Sequence, residues 1–199
     1  MKRLILCLLA VAMAASATTL SGALTTDNAF SLYLSTSPTV QGTFVTSGAD
    51  WATTYPFAGV ALTPGTTYYL QVDGYNSGGP GSIIGSFTLS DSSFQFANGS
   101  QSLTTDTTDW TYSYTGFGAA ALTPTDWGVN GVGPWGTRPG IDPSAHWIWD
   151  SNYDYSTSDL YFETAITPTG SGVPEPASMG LLGAGLVALG LMARRKRSA

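Results

Sequence analysis

The chain has 199 residues, with 7 basic and 13 acidic side chains and a formal charge of −6 at pH 7. Residues 18–172 hold 12 of the acids and one cation, Arg138, which gives a formal charge of −11 without a single lysine. Such a surface repels nucleic acid phosphates and anionic lipid headgroups, so neither is expected as a partner of this region.

The N-terminus has the pattern of a signal peptide. Lys2 and Arg3 precede an apolar run over residues 4–15, and Ala15-Ser16-Ala17 fits a small-x-small cleavage site. The run of 12 residues is too short to span a bilayer permanently. We therefore predict a signal peptide at residues 1–17 and a mature chain that starts near Thr18. The only cysteine, Cys7, leaves with the signal peptide, so the mature part has no disulfide.

The central region reads as all-β. All 24 aromatic residues lie in it, among abundant Thr, Ser and Gly, which is the composition of short strands joined by tight turns. Seven segments have strand patterning, at residues 30–34, 68–72, 83–89, 94–96, 110–114, 146–149 and 160–166. They predict one β-sandwich or jelly-roll domain over residues 18–167. Two stretches lack the pattern: residues 116–143, a long Gly- and Pro-rich loop, and residues 168–172, a linker.

A set of short motifs resembles galactose-binding-like β-sandwich modules. The motifs are Asp27-Asn28-x-Phe30, the Pro64-Gly65 turn before a strand at 68–72, Ala145-x-Trp147-Ile148-Trp149 and Tyr161-Phe162. The resemblance covers most of residues 24–167 and implies a sandwich of that type. The family often has Arg just after the Tyr-Phe pair, whereas this chain has Glu163, so no role of that Arg carries over.

The resemblance also implies that any ligand of the domain is a glycan. A pyranose covers an aromatic ring with its C–H face while its hydroxyls reach polar side chains. The candidates are grouped on the long loop: Trp127, Trp135 and Arg138, with Asp126 and Asn130 as polar partners. Trp51, Trp110, Trp147 and Trp149 are expected in the core instead, the last two on one face of a strand. Trp135 is the better candidate platform, because a loop aromatic has less packing reason to exist.

Enzymatic chemistry has little support in the sequence. The sole histidine, His146, abuts Trp147 on a predicted strand, and no Gly-x-Ser-x-Gly nucleophile motif accompanies it. One His without Cys disfavours zinc. Paired carboxylates for glycoside cleavage remain an open alternative, since 12 acids offer many combinations. We expect a protein that is not an enzyme.

A calcium site is a further hypothesis. Asp150, Asn152 and Asp154 have the alternating oxygen spacing of a Ca²⁺ loop. The segment departs from an EF-hand, with Tyr155 in the glycine position and Tyr161 in the position of the bidentate acid. It would be a non-EF site in a sandwich loop, or else a solvated turn.

The C-terminal 27 residues form a three-part tail. Residues 173–176 read Val173-Pro174-Glu175-Pro176, residues 177–193 are apolar, and the basic cluster is Arg194, Arg195, Lys196 and Arg197. Seventeen helical residues extend about 26 Å, near the lower limit for a transmembrane helix, and the basic cluster favours a cytoplasmic end. An ordinary membrane anchor would share these features.

The tail resembles the PEP-CTERM sorting signal of Gram-negative bacteria. That resemblance implies an exosortase, a membrane-embedded cysteine protease, as processing partner, with residues 173–176 as its recognition motif. It implies export across the inner membrane, a transient membrane anchor, and a final place at the cell surface or in the extracellular matrix. It also implies a structural or exopolysaccharide-associated role in biofilm or envelope. A carbohydrate-binding module with a defined ligand is the first alternative, and a cryptic glycoside hydrolase the second.

Overall fold

The computed structural model of the protein describes residues 17–152 and 158–170, together with Gly185. The predicted signal peptide before Ala17 and the predicted sorting tail, apart from Gly185, lie outside the described residues. Within residues 17–152 and 158–170, no helix is long and apolar enough to cross a membrane.

Twelve strands make up the described domain. They are β1 (Thr19–Asp27), β2 (Ala29–Ser35), β3 (Thr43–Gly48), β4 (Tyr55–Ala61), β5 (Tyr68–Asn76), β6 (Ser82–Leu89), β7 (Phe94–Phe96), β8 (Ser102–Thr104), β9 (Thr111–Ser113), β10 (Thr125–Val129), β11 (His146–Trp149) and β12 (Ser158–Pro168). All of their pairings are antiparallel. The predicted all-β class is therefore confirmed.

The strands form two sheets that pack as a sandwich. The first sheet has the order β10-β11-β6-β1-β4, with β8 also paired to β6. The second has the order β3-β2-β5-β12-β7, with β9 also paired to β12. The longest pairing joins β5 and β12 from Asn76 opposite Ser158 to Tyr68 opposite Ile166. Strands β3 and β4, consecutive in the chain, are outermost in their respective sheets.

The main core lies between the sheets and follows from the period of two along each strand. Phe30, Leu32 and Leu34 on β2 are buried, as the alternation of the sequence predicts. They meet residues of the first sheet such as Leu24 and Phe87 in one continuous apolar cluster. At about 25 cal/mol per Å² of apolar surface, this burial is the dominant stabilising contribution.

A second cluster lies on the other face of the first sheet. Leu24 and Ile83 belong to the main core, whereas their neighbours Ala23 and Ile84 belong to this separate cluster. Trp147 joins Ala23 and Ile84 from β11, and the segment between β10 and β11 supplies Trp135, Ile141 and Ala145. The first sheet is therefore buried on both faces where this segment covers it.

The structure agrees with all seven predicted strands and corrects three other expectations. Residues 116–143 were expected to lack a strand, yet Thr125–Val129 is β10, a five-residue strand with a register shift that shows no alternating pattern by itself and forms by pairing with β11. Pro168, expected in the linker, is the last residue of β12. Trp147 and Trp149 are both fully buried as predicted, but they lie in different clusters, since Trp149 at the strand end packs against Phe162 of the second sheet.

Candidate functional site

Trp135 is held inside the second cluster by two partners. Its ring stacks on Trp147, with centroids 4.8 Å apart and planes inclined by 22°. Its Nε1–H donates to Oδ2 of Asp27 at 2.9 Å. Only 2% of Trp135 is exposed, so the expectation that a loop tryptophan has little packing role is wrong for this residue. The ring is buried because it packs on the apolar residues Ala23, Ile84 and Trp147 on the outer face of the first sheet.

Arg138 and Asn130 hold the loop around that tryptophan. The Arg138 guanidinium lies 5.2 Å from the centre of the Trp51 ring and donates to the carbonyls of Trp51 and Trp135, at 3.3 and 2.6 Å. Oδ1 of Asn130 accepts the Arg138 N–H at 2.7 Å, and its Nδ2 donates to the carbonyls of Arg138 and Ile141. These bonds satisfy backbone groups that a long loop would otherwise leave unpaired.

Trp127 and Asp126 lie beside this loop on β10. Trp127 is partly buried against both clusters and donates its Nε1–H to the carbonyl of Asp150 at 3.1 Å. Asp126 lies 2.9 Å from Nδ1 of His146 on β11. Partial burial on its own raises the pKa of Asp126, but hydrogen bonds from His146 and the Gly128 amide outweigh it, and the net shift is downward.

Of the five candidate glycan-binding residues, Trp135, Arg138 and Asn130 are thus joined by direct contacts, whereas Asp126 and Trp127 lie on the neighbouring strand β10. Each of the five has a bonding partner within the chain. The indole N–H of each tryptophan has an acceptor, Arg138 and Asn130 donate to carbonyls, and Asp126 pairs with His146. This arrangement fixes the loop and the second cluster. Carbohydrate binding by this set stays a prediction.

The candidate calcium residues lie partly within the described chain. Asp150 is buried, and its carboxylate accepts hydrogen bonds from the Asn152 N–H at 2.8 Å and the Tyr114 hydroxyl at 3.0 Å. Partial burial, followed by hydrogen bonds with Tyr112 and Asp150, raises the pKa of Tyr114. Asp154 is outside the described residues. Within the described ranges, no three His, Cys, Asp or Glu side chains are grouped to hold a metal ion. Calcium binding here stays a prediction.

Both ends of the domain are fixed to one turn, residues 90–93 between β6 and β7. At the N-terminal end, Thr18 Oγ1 donates to Asp91 Oδ1 at 2.8 Å, and the Ser90 N–H donates to the carbonyl of Thr19 at 2.9 Å. At the C-terminal end, Thr169 donates its N–H to the carbonyl of Ser93 and its hydroxyl to the carbonyl of Ser92. The chain therefore enters and leaves the sandwich at the same end.

An open concavity lies at that same end, between the two edge strands β3 and β4. This edge groove has a volume of about 820 Å³. Its walls are the residues after β2, the start of β3, the end of β4 and Tyr68 on β5. Sequence reasoning missed it, because β3 and β4 were not among the predicted strands and nothing in their sequences shows that they are edges.

Comparison with known proteins identifies one part of the chain. A family profile described as the PEP-CTERM protein-sorting motif matches residues 172–197. No curated protein and no solved structure matches the chain significantly. The sorting motif predicted from the sequence is thereby confirmed, and it implies export with processing by an exosortase. The matched residues, apart from Gly185, are beyond the described ranges.

Proposed function

We propose that this exported, exosortase-processed protein is a cell-surface or extracellular-matrix component with a structural or exopolysaccharide-associated role and no catalytic activity. The observation that carries the proposal is the sorting motif at residues 172–197, which follows directly on a self-contained β-sandwich. The predicted signal peptide at residues 1–17 supplies the matching entry route.

The placement of the domain ends supports processing of the folded protein. Strand β12 ends at Pro168 and the turn at residues 92–93 holds Thr169. The matched motif begins at residue 172, so a protease that acts on it need not open any pairing of the sandwich. The domain can therefore fold before the tail is cut.

The bonding of the long loop supports a structural role for the residues that were predicted to bind a glycan. The loop itself is stabilised by three of the predicted glycan-binding residues, Trp135, Arg138 and Asn130. The two-sheet architecture is compatible with the galactose-binding-like module that the sequence resembles, and we retain that finer assignment as part of the proposal. Its usual ligand class, a glycan, agrees with a matrix location.

The test is the intact mass and cellular location of the protein in cells with and without the exosortase. We expect a released or surface-bound species that ends near Pro174 only when the enzyme is present. The variant Glu175→Ala should keep its tail and remain in the membrane fraction, whereas the matched control Ser171→Ala should be processed normally. A full tail in the membrane fraction under every condition would leave a simple membrane anchor and refute the proposal.

A further inference from the structure

The edge groove is a wedge between β3 and β4 that is closed at one end and open at the other. At the closed end, the Tyr55 ring packs edge-on against Phe30 with centroids 5.5 Å apart, and its hydroxyl accepts the Ala49 N–H. At the open end, Thr43, Phe44 and Val45 face Val60 and Ala61 across the groove. The opening lies at the same end of the sandwich as the two chain ends.

Both strands change register where the groove opens. In β3, Thr46 pairs with Leu32 and Phe44 with Tyr33, so Val45 is an extra residue. In β4, Val60 pairs with Leu20 while Phe57 pairs with Gly22, which leaves one extra residue between them. Such bulges bend edge strands and re-aim side chains, and they hinder pairing with the edge of another sheet. Three consecutive residues of β3 can line the groove for this reason.

The wall of the groove is set by buried polar contacts. Gln71 is fully buried, and its side chain binds the Gly42 N–H, the carbonyl of Ser37 and a carboxylate oxygen of Glu163. The Ser35 hydroxyl donates to the carbonyl of Val40 at 2.7 Å. The residues that join β2 to β3 are thus fixed before any ligand arrives, which lowers the ordering cost of binding.

The side chains that line the groove are uncharged. None of the described residues that line it carries a charge, although the region from 18 to 172 has a formal charge of −11. The lining alternates apolar groups with the hydroxyls of Thr36, Ser37 and Thr43 and the amide of Gln41. Phe44 and Val40 are the large apolar side chains exposed there, at 56% and 61%.

We propose that the edge groove binds a neutral polysaccharide chain. The C–H faces of its sugars would cover Phe44 and Val40, and its hydroxyls would bind the Ser, Thr and Gln groups. The groove is open at its end, so a chain can continue beyond it. This inference rests on the proposed matrix role and names a ligand class and a site for it, away from the long loop.

Other occupants fit the groove less well. An anionic chain would find no cation there, and Arg138, the one cation of residues 18–172, is bound to carbonyls on the far side of the first sheet. A basic peptide would find no carboxylate in the lining. A second copy would bring its own charge of −11 and would meet two bulged edges.

The test is binding of the full chain in lipid nanodiscs to immobilised polysaccharides of both kinds. The neutral probes are a β-glucan, a galactan, a mannan and a xylan, and the acidic probes are alginate and polygalacturonate. We expect binding to at least one neutral chain. Phe44→Ser should weaken it about tenfold, because it removes the exposed ring. The control Tyr75→Ser removes an exposed ring elsewhere and should bind as the native protein does.

Val40→Ser and its control Leu122→Ser form a second pair, both at exposed positions where a change of fold is not expected. The proposal is overturned by absence of binding to every neutral probe, by a preference for the acidic ones, or by Phe44→Ser binding as tightly as Tyr75→Ser. Self-association or vesicle binding that Phe44→Ser abolishes would assign the groove to a copy of the chain or to lipid instead. None of these outcomes affects processing of the tail, so the proposed function is tested separately.

Discussion

Replacing Trp135 with alanine tests whether the long loop is part of the core. The indole is 2% exposed, stacks on Trp147 and donates to Asp27. Burying an aromatic side chain removes about 150–250 Å² from water, which at about 25 cal/mol per Å² corresponds to roughly 4–6 kcal/mol. Truncations of buried Trp or Phe cost about 3–5 kcal/mol in practice. We expect Trp135→Ala to lower the free energy of unfolding by about 4 kcal/mol.

The variant Trp135→Phe separates the two contributions. It keeps an aromatic ring against Trp147 but removes the N–H that Asp27 accepts. A buried acceptor without its donor costs about 1–3 kcal/mol. We therefore expect a loss of about 2 kcal/mol, clearly smaller than that of the alanine variant.

Urea unfolding followed by far-UV circular dichroism measures both losses without depending on the tryptophan that is removed. The reasoning is refuted if Trp135→Ala lowers the free energy of unfolding by less than about 1 kcal/mol, since removing a ring packed in the second cluster should lower it by more. If glycan binding instead disappears while stability is unchanged, Trp135 is a ligand platform, as the sequence alone suggested.

Three other changes test the charge, the cation and the groove wall. Burial raises the pKa of Asp27, so the stability that its protonated form contributes is fully present below the unfolded pKa of about 4 and is lost as pH rises through the folded pKa. Asp27→Asn should flatten the fall of urea midpoints from pH 4 to 7, and parallel curves for the two proteins would contradict this. Arg138→Lys should cost about 1–2 kcal/mol in urea unfolding, because an ammonium cannot both cover the Trp51 ring and bind two carbonyls; an unchanged midpoint would count against it. A Cβ on Gly42 would overlap the carbonyl of Leu34, so Gly42→Ala should cost about 1–3 kcal/mol, and an alanine variant of native stability would show that the wall can move.

The sequence predicts the central strands well and the edge strands poorly. Strand β2, and β6 from Ser86 onward, alternate large apolar residues with polar ones, so their period is visible without the fold. Strands β3 and β4 read Thr-Phe-Val-Thr-Ser-Gly and Tyr-Pro-Phe-Ala-Gly-Val-Ala, with bulges, a proline and half-exposed faces. These strands form by pairing with β2 and β1, and a pattern within the strand itself does not reveal that pairing.

The candidate site shows a second limit. The sequence groups Trp127, Trp135 and Arg138 on one loop, and the structure does bring them to one side of the first sheet. The sequence cannot show that this side carries its own apolar cluster, because that depends on which face of β11 the loop covers. Trp147 and Trp149 illustrate this: they are two residues apart on one strand and both fully buried, yet they belong to separate clusters.

The turn at residues 90–93 is the first part of the domain that a force applied through the tail would reach. Tension on a tethered tail reaches the sandwich at Thr169, which that turn holds by two hydrogen bonds. Behind it are the three residue pairs between β12 and β7, and only then the long pairing with β5. A pull under flow would therefore peel the short β7 contacts first, while the main sheet and the β1 end remain paired. Under such a pull the first contacts to break would be these three short pairs, with Phe94 and Phe96 leaving the core, while the longest pairing of the sheet stays intact.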